Sequence, residues 1–387
     1  VKGQEHASLV ALSFFDNEVV GFISTSEKGD YQLAKVEANH HILYKTSTLK
    51  EGQLFECATV DDDGDTNPYD PEILWQTHSE SYRPDAVVRI YLETLYDIFK
   101  AHGESVDGVT RYIEGLWNQV QTLYSNDGMN LELSTLRIWD IPDSYDFTTG
   151  AWGLLNQFQS NTESFDGDLG QLLTSRSGGG IAAGFKGLCS NHVNDKLSVS
   201  AGLSTYPSEF EFSYTVMVVA HEFGHLLGSR HTHACVWNGN NTVIDNCGGS
   251  EGSCGGDIFP EDGTIMSYCA PFINFSEGFH PQPANVMRYN IERCLDEIPT
   301  FITKWVPTDD GDGTGSITIP TNPSYTYNYT LEWENLSNSD SGSYENITGN
   351  ITINNLPIGD TIQVSIKGDF PHFYMNGMET SNNRLEL

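Results

Sequence analysis

Residues 221–231 read HEFGHLLGSRH, and few stretches this short constrain a fold so tightly. His221 and His225 are four residues apart, so on a helix they stand one turn above the other on the same face. Two imidazoles so placed can grip one metal ion. Glu222 sits beside the first of them, where it can reach a water held at the metal rather than the metal itself. Gly228 can take a left-handed conformation, end the helix and turn the chain back. His231 can then deliver a third nitrogen to the same point. Five fixed residues within eleven are far more specific than a bare H-E-x-x-H.

Three neutral ligands leave zinc its full double charge and an open fourth position, which is a catalytic arrangement rather than a structural one. Water at that position has its pKa lowered to about 7. Glu222 can take the water's proton during attack on a carbonyl and later pass it to a leaving amine. The competing reading is a histidine-rich helix end whose imidazoles are simply hydrogen-bonded in the core. A glutamate next to the first histidine has no purpose on that reading.

The pattern His221-Glu222-x-x-His225-x-x-Gly228-x-x-His231 resembles the zinc signature of the metzincin metalloproteases. That clan also carries a methionine turn beneath its zinc ligands, and GTIMSYC places Met266 35 residues after His231. The cysteine-rich stretch between them is similar to the reprolysin-like (adamalysin-like) branch found in secreted bacterial proteases. The resemblance covers residues 85 to 298. It implies a zinc-dependent endopeptidase acting on protein or peptide substrates, with one catalytic zinc. One departure is Thr232, where adamalysins usually have Asp directly after the third histidine. His233 falls outside the signature and reads as a structural hydrogen-bonding residue. In astacin-like and serralysin-like relatives a tyrosine two residues past the methionine stabilises the oxyanion. By that resemblance Tyr268 is a candidate for the same role, with simple packing beneath the site as the alternative.

The stretch SGGGIAAG, Ser177 to Gly184, lies ahead of the zinc helix. By resemblance it sits where metzincins place the edge strand that pairs with substrate. Gly178, Gly179, Gly180 and Ile181 would form that strand, since an edge bare of side chains lets a peptide backbone add to the sheet. An ordinary glycine-rich loop is the competing reading. Residues Ala270 to Ile273 would then line the pocket for the side chain after the cut bond.

Seven cysteines are present, and six of them fall between Cys189 and Cys294, around the histidines. No Cys-x-x-Cys pair suggests a second zinc site, so three disulfides and an oxidising compartment are expected. Six cysteines can pair in fifteen ways. Chain order favours a nested pattern of Cys189–Cys294, Cys235–Cys269 and Cys247–Cys254. Cys57 is left over, upstream of an acidic stretch. A thiolate there could fill the fourth zinc position, which resembles the cysteine switch of some metzincin zymogens in chemistry and placement, although the local sequence does not copy the matrix-metalloprotease form. A free buried thiol or a further disulfide are the alternatives.

Around this centre the chain changes texture twice. Residues 1–80 contain SLVALSFF, VVGFISTS and HHILYKTS, three short strands, followed by a Pro-, Gly- and Asp-rich linker over 61–84 that reads as exposed. On the zymogen reading this is a propeptide segment whose linker takes the activating cut. Residues 81–298 alternate strands and helices, the mark of a mixed α/β (α+β) domain with a twisted sheet and a zinc-bearing helix. Apolar residues at Val109, Ile113, Leu116, Val120 and Leu123 have helix spacing. Residues 299–387 are Thr-, Ile-, Asn- and Tyr-rich strands, expected to form a small all-β sandwich that weakly resembles PKD-like modules.

Acidic residues outnumber basic ones 53 to 19, for a net charge of −34. That excludes nucleic acid and anionic membrane surfaces as natural partners. No apolar run is long enough to span a membrane. The chain starts at Val1 with no basic-then-apolar leader, as expected if a signal peptide has been removed or the chain has been trimmed, and a secreted or extracellular monomer is expected. Calcium is a second candidate cation, because Asp309 to Gly313 offers oxygens, but it lacks the glutamate of an EF-hand loop and a solvated linker competes. Two rival functions are a zinc-containing surface adhesin without turnover and a zinc amidase acting on small or cell-wall substrates.

Overall fold

The computed structural model describes residues 8–37, 40–48, 57–59, 68–75, 86–176, 178–205, 212–254, 260, 263–269, 273–295, 301–307, 313–370 and 384–386. The expected cut region over 61–67 and 76–84, the pocket residues Ala270–Phe272 and the acidic stretch Asp309–Asp312 lie outside these. Two compact units divide the chain, Val1–Leu295 and Asp296–Leu387.

The first unit opens with a four-stranded antiparallel meander, β1 (Ser8–Phe15), β2 (Glu18–Thr25), β3 (Gly29–Glu37) and β4 (His40–Lys45). Three of these strands are the ones expected from sequence, and β3 is the addition. After Cys57–Thr59 comes a single-turn helix, α1 (Pro71–Leu74), capped by the Asp70 carboxylate and started by a proline. The stretch around it was expected to be exposed. Instead Tyr69 and Leu74 are buried, because apolar residues among the acids find a small core of their own with Ala234, Val236, Trp237 and Val286.

The central sheet has the order β6-β5-β7-β9-β8, built from β5 (Val87–Thr94), β6 (Asn130–Ile138), β7 (Leu169–Leu173), β8 (Gly179–Ala182) and β9 (Leu197–Ala201). All pairings are parallel except β8 with β9, so β8 is an antiparallel edge strand. Between the strands run α2 (Tyr96–Ala101), α3 (Val106–Asn126) and α4 (Gly150–Asn161). Ser105 caps α3 by accepting from Gly108 N–H, and the helix buries Val109, Ile113, Leu116, Val120 and Leu123, the spacing read from sequence.

The helix α5 (Phe212–Leu226) carries the first two signature histidines. From Val216 to Leu227 its apolar residues are buried on every side, as a helix sandwiched inside a core must be. Helix α6 (Pro281–Cys294) closes the unit. Leu9, Ala11 and Phe22 of the leading meander belong to the same core as α3 and α5. The meander also holds the chain beyond the methionine turn. The Asp30 carboxylate accepts from Phe275 N–H at 3.1 Å, and Ser24 Oγ accepts from Ser276 N–H at 2.7 Å. Among the described residues no helix is long and apolar enough to cross a membrane.

The second unit is all β. Strands β10 (Phe301–Val306), β12 (Asn328–Asn335), β13 (Ser341–Ile347), β15 (Ile362–Asp369) and β16 (Arg384–Glu386) form one antiparallel sheet in the order β13-β12-β15-β10-β16. A second sheet pairs β11 (Gly315–Ile319) with β14 (Ile351–Leu356). Alternate residues of both sheets, among them Trp305, Ile317, Leu331, Ile353 and Val364, share one core.

Candidate functional site

The end of α5 decides where the third histidine goes. Gly228 has φ +110°, and a Cβ there would collide with the Asn290 amide, so only glycine allows this turn. Asn290 Nδ2 donates to Leu227 O at 2.9 Å, which satisfies a carbonyl at the helix end. The chain then doubles back and brings His231 to the Nε2 ends of His221 and His225.

The three Nε2 atoms converge. His225 Nε2 lies 3.0 Å from His221 Nε2 and 3.1 Å from His231 Nε2. The opposite nitrogens all have acceptors: His221 Nδ1 at 2.8 Å from Ile265 O, His225 Nδ1 at 2.8 Å from Ser229 O, and His231 Nδ1 at 3.1 Å from the Glu251 carboxylate. Each Nδ1 therefore carries the proton and each Nε2 a lone pair. Burial first, then mutual repulsion for His221 and His225, lowers all three histidines, so the rings are neutral. Three buried lone pairs aimed at one point suit a cation, and three imidazoles are a donor set that zinc prefers.

Cys57 completes the group. Its sulfur is 3.5 Å from His225 Nε2 and 3.6 Å from Glu222 Oε2, and it forms one potential metal-binding set with His221, His225 and His231. Burial and the Glu222 charge push the thiol well up from its ordinary value. The backbone around it lies against β8, parallel to it, through a Cys57–Gly180 bridge and a bond from Ala58 N–H to Gly180 O at 2.8 Å. Ala182 N–H donates to Thr59 Oγ1 at 2.8 Å. Thr59 Oγ1 in turn faces Glu222 Oε2 at 3.5 Å.

Glu222 is fully buried beneath this segment, and burial raises its carboxyl to about 8, while Cys57 and Thr59 pull it back down. A Cβ on Gly180 would collide with the Glu222 carboxylate, so the glycine keeps the edge strand close to it. Gly179 has φ +86°, a second position that favours glycine, and Ile181 is buried in the core behind the strand. Gly178 precedes β8 and is exposed.

Met266 is buried under the histidines, and Gly224 of α5 makes room for its sulfur. Thr232, at the position of the departure from the adamalysin pattern, ties the loop to this turn: its N–H and hydroxyl both donate to Met266 O, at 3.0 and 3.2 Å. Tyr268 brackets the Cys57 peptide, donating to Cys57 O at 3.0 Å and accepting from Cys57 N–H at 3.2 Å. Its phenol is raised by burial first, then by the neighbouring anions. His233 stacks on His231 at 4.9 Å between ring centres and faces Glu251 rather than the other three histidines.

The structure overturns two of the expected cysteine pairs. Cys189 bonds Cys294, but Cys235 pairs with Cys254 and Cys247 with Cys269. The reason is a short non-local ladder. Cys235 N–H donates to Glu251 O and Glu251 N–H to His233 O, both at 2.9 Å, so the chain after Glu251 runs back beside Cys235. Cys247 is then left to meet Cys269. Glu251 itself is a residue that sequence reasoning missed, because CGGSEGSC reads as a plain loop.

A buried glutamate beside three converging neutral imidazoles, over a methionine turn, defines a metallopeptidase centre. Residues 85–276 match the sequence model of Reprolysin_5, metallo-peptidase family M12. Over that stretch the chain is reprolysin-like, of the metzincin type. Among curated proteins none matches the chain. Solved structures that it matches include one described as "Structure of a chaperone-substrate complex", at 17% identity and a TM-score of 0.34. That match covers 54% of this chain and 35% of the other, so this chain spans about a third of that structure's length.

Proposed function

We propose that this chain is the latent form of a secreted zinc endopeptidase, held inactive by Cys57. The observation that carries the reading is the Cys57 sulfur, which joins all three imidazole donors in one group. A thiolate is a soft ligand with high affinity for zinc. A sulfur held among these donors would exclude the water that the reaction needs. The same segment lies along the edge of β8, where an extended polypeptide would add as a strand. Three disulfides support an oxidising, extracellular setting.

Zinc held by His221, His225 and His231 would supply Lewis acidity, polarising the scissile carbonyl and making water more acidic. Glu222 takes a proton from the attacking water and hands it to the departing amine nitrogen. Gly178, Gly179, Gly180 and Ile181 align the peptide backbone beside Glu222. Tyr268 is released when the Cys57 peptide leaves, and its hydroxyl then donates to the oxyanion.

The test is Cys57→Ser in the otherwise intact chain. The hydroxyl is a weak, hard ligand, so water competes and the uncut protein should cleave casein. Uncut wild type should be inactive, and its Cys57 should resist alkylation until a chelator strips the metal. An uncut wild-type chain as active as the variant would refute the latency reading.

A further inference from the structure

We propose that residues 68–75 are a strut of the active enzyme, with Tyr69 as a positioning residue for His231, and that activation removes Cys57 but not this segment. The inference rests on the latency reading in one respect: only a latent chain has a segment to lose.

Two stretches that precede the catalytic domain touch it in different ways. Cys57–Thr59 covers Glu222 and the edge of β8. Residues 68–75 instead pack behind the turn that carries His231. The Tyr69 hydroxyl donates to Gly228 O at 2.8 Å and accepts from Arg230 N–H at 2.9 Å. It thus fastens both ends of the turn between the second and third histidines of the signature. Its ring stacks on Trp237 at 4.8 Å, and Trp237 Nε1 donates to His231 O at 2.7 Å. Leu74 is buried in the same small core, and Asn285 Nδ2 holds Leu74 O at 2.9 Å.

Losing Cys57–Thr59 uncovers an active site. Losing residues 68–75 uncovers nothing that reacts. It would strip two buried hydrogen bonds from the loop that sets His231 and expose an apolar patch. A cut that activates without loosening the zinc site therefore falls between Thr59 and Pro68. Partners one shell out from a metal typically change its affinity about 10–100-fold when lost. Tyr69→Phe removes both bonds from the turn and keeps the ring stack.

The experiment has two arms on the full chain. In the first, protein activated by limited proteolysis is isolated without denaturant and its active species is mass-mapped. Tyr69 and Leu74 should be present, with the new N-terminus at or before Pro68. A fully active species that starts after Trp75 and holds no Tyr69 peptide would overturn the proposal. In the second, zinc release to a chromogenic chelator is timed well below the unfolding temperature. Tyr69→Phe should release zinc about tenfold faster than wild type. Leu74→Ala, which weakens packing but leaves the turn bonded, should lower the thermal midpoint more and speed release less. Unchanged release from Tyr69→Phe, or equal release from both variants, would refute a positioning role. Failure of the latency reading shows separately, as alkylation of Cys57 in the zinc-loaded uncut chain, and the release arm decides even then.

Discussion

His221 and His225 project from one face of α5, whereas His231 arrives on a loop, and the two arrangements are held by different means. The helix histidines are set by the four-residue repeat, and their Nδ1 atoms bond main-chain carbonyls of Ile265 and Ser229. Their surroundings are buried core on every side. His231 has no such frame. Its Nδ1 meets the Glu251 carboxylate, its carbonyl accepts from Trp237, and its turn leans on Tyr69. Glu251 in turn sits in a loop closed by the Cys235–Cys254 disulfide. One side of the metal site is thus supported by backbone and the other by side chains and a covalent link. Of the Nδ1 partners named, only that of His231 is a side chain that substitution can remove.

The largest effect should come from breaking the loop side outright. His231→Ala should lower zinc content well below one per chain and abolish peptidase activity together, as measured by metal analysis on the activated enzyme. Full zinc loading with normal turnover would remove His231 from the site. Glu222→Gln separates chemistry from metal binding. It leaves both sides of the site intact, so zinc should stay, while kcat/KM falls at least about a hundredfold because an amide cannot accept the proton.

Smaller effects sharpen the contrast. Glu251→Ala should weaken zinc binding about tenfold, read by competition with a calibrated chelator, since it removes the carboxylate that His231 Nδ1 meets. Unchanged affinity would mean that the loop is as rigid as the helix. His233→Ala should be mildest, because His233 stacks beside His231 and shares Glu251 without joining the converging donors. A zinc loss greater than that of His231→Ala would reverse the assignment of the third histidine.

The same contrast explains what was legible in the sequence. Helix α5, the spacing on α3 and the buried strand β5 follow from local periodicity, and the histidine signature fixes its own turn through Gly228. Strand β9 (Leu197–Ala201), short and with two serines in five residues, carries little periodic signal, and β3 hides behind its turn. Glu251 and Tyr69 act through partners 20 and more than 150 residues away, so nothing near them in sequence announces a role. Two of the three cysteine pairs failed for a related reason, while Cys189–Cys294 held. A ladder of two hydrogen bonds between residues 233–235 and 251 decides which sulfurs meet, and chain order does not carry that information.

On the latency proposal, the Cys57 sulfur completes the three-histidine site in the uncut chain. Zinc-edge X-ray absorption on uncut, zinc-loaded protein tests it directly. One sulfur at about 2.3 Å and three nitrogens at about 2.0–2.1 Å should be found, with the sulfur shell lost on activation or in Cys57→Ser. A shell of nitrogen and oxygen alone in the uncut wild-type chain would contradict it.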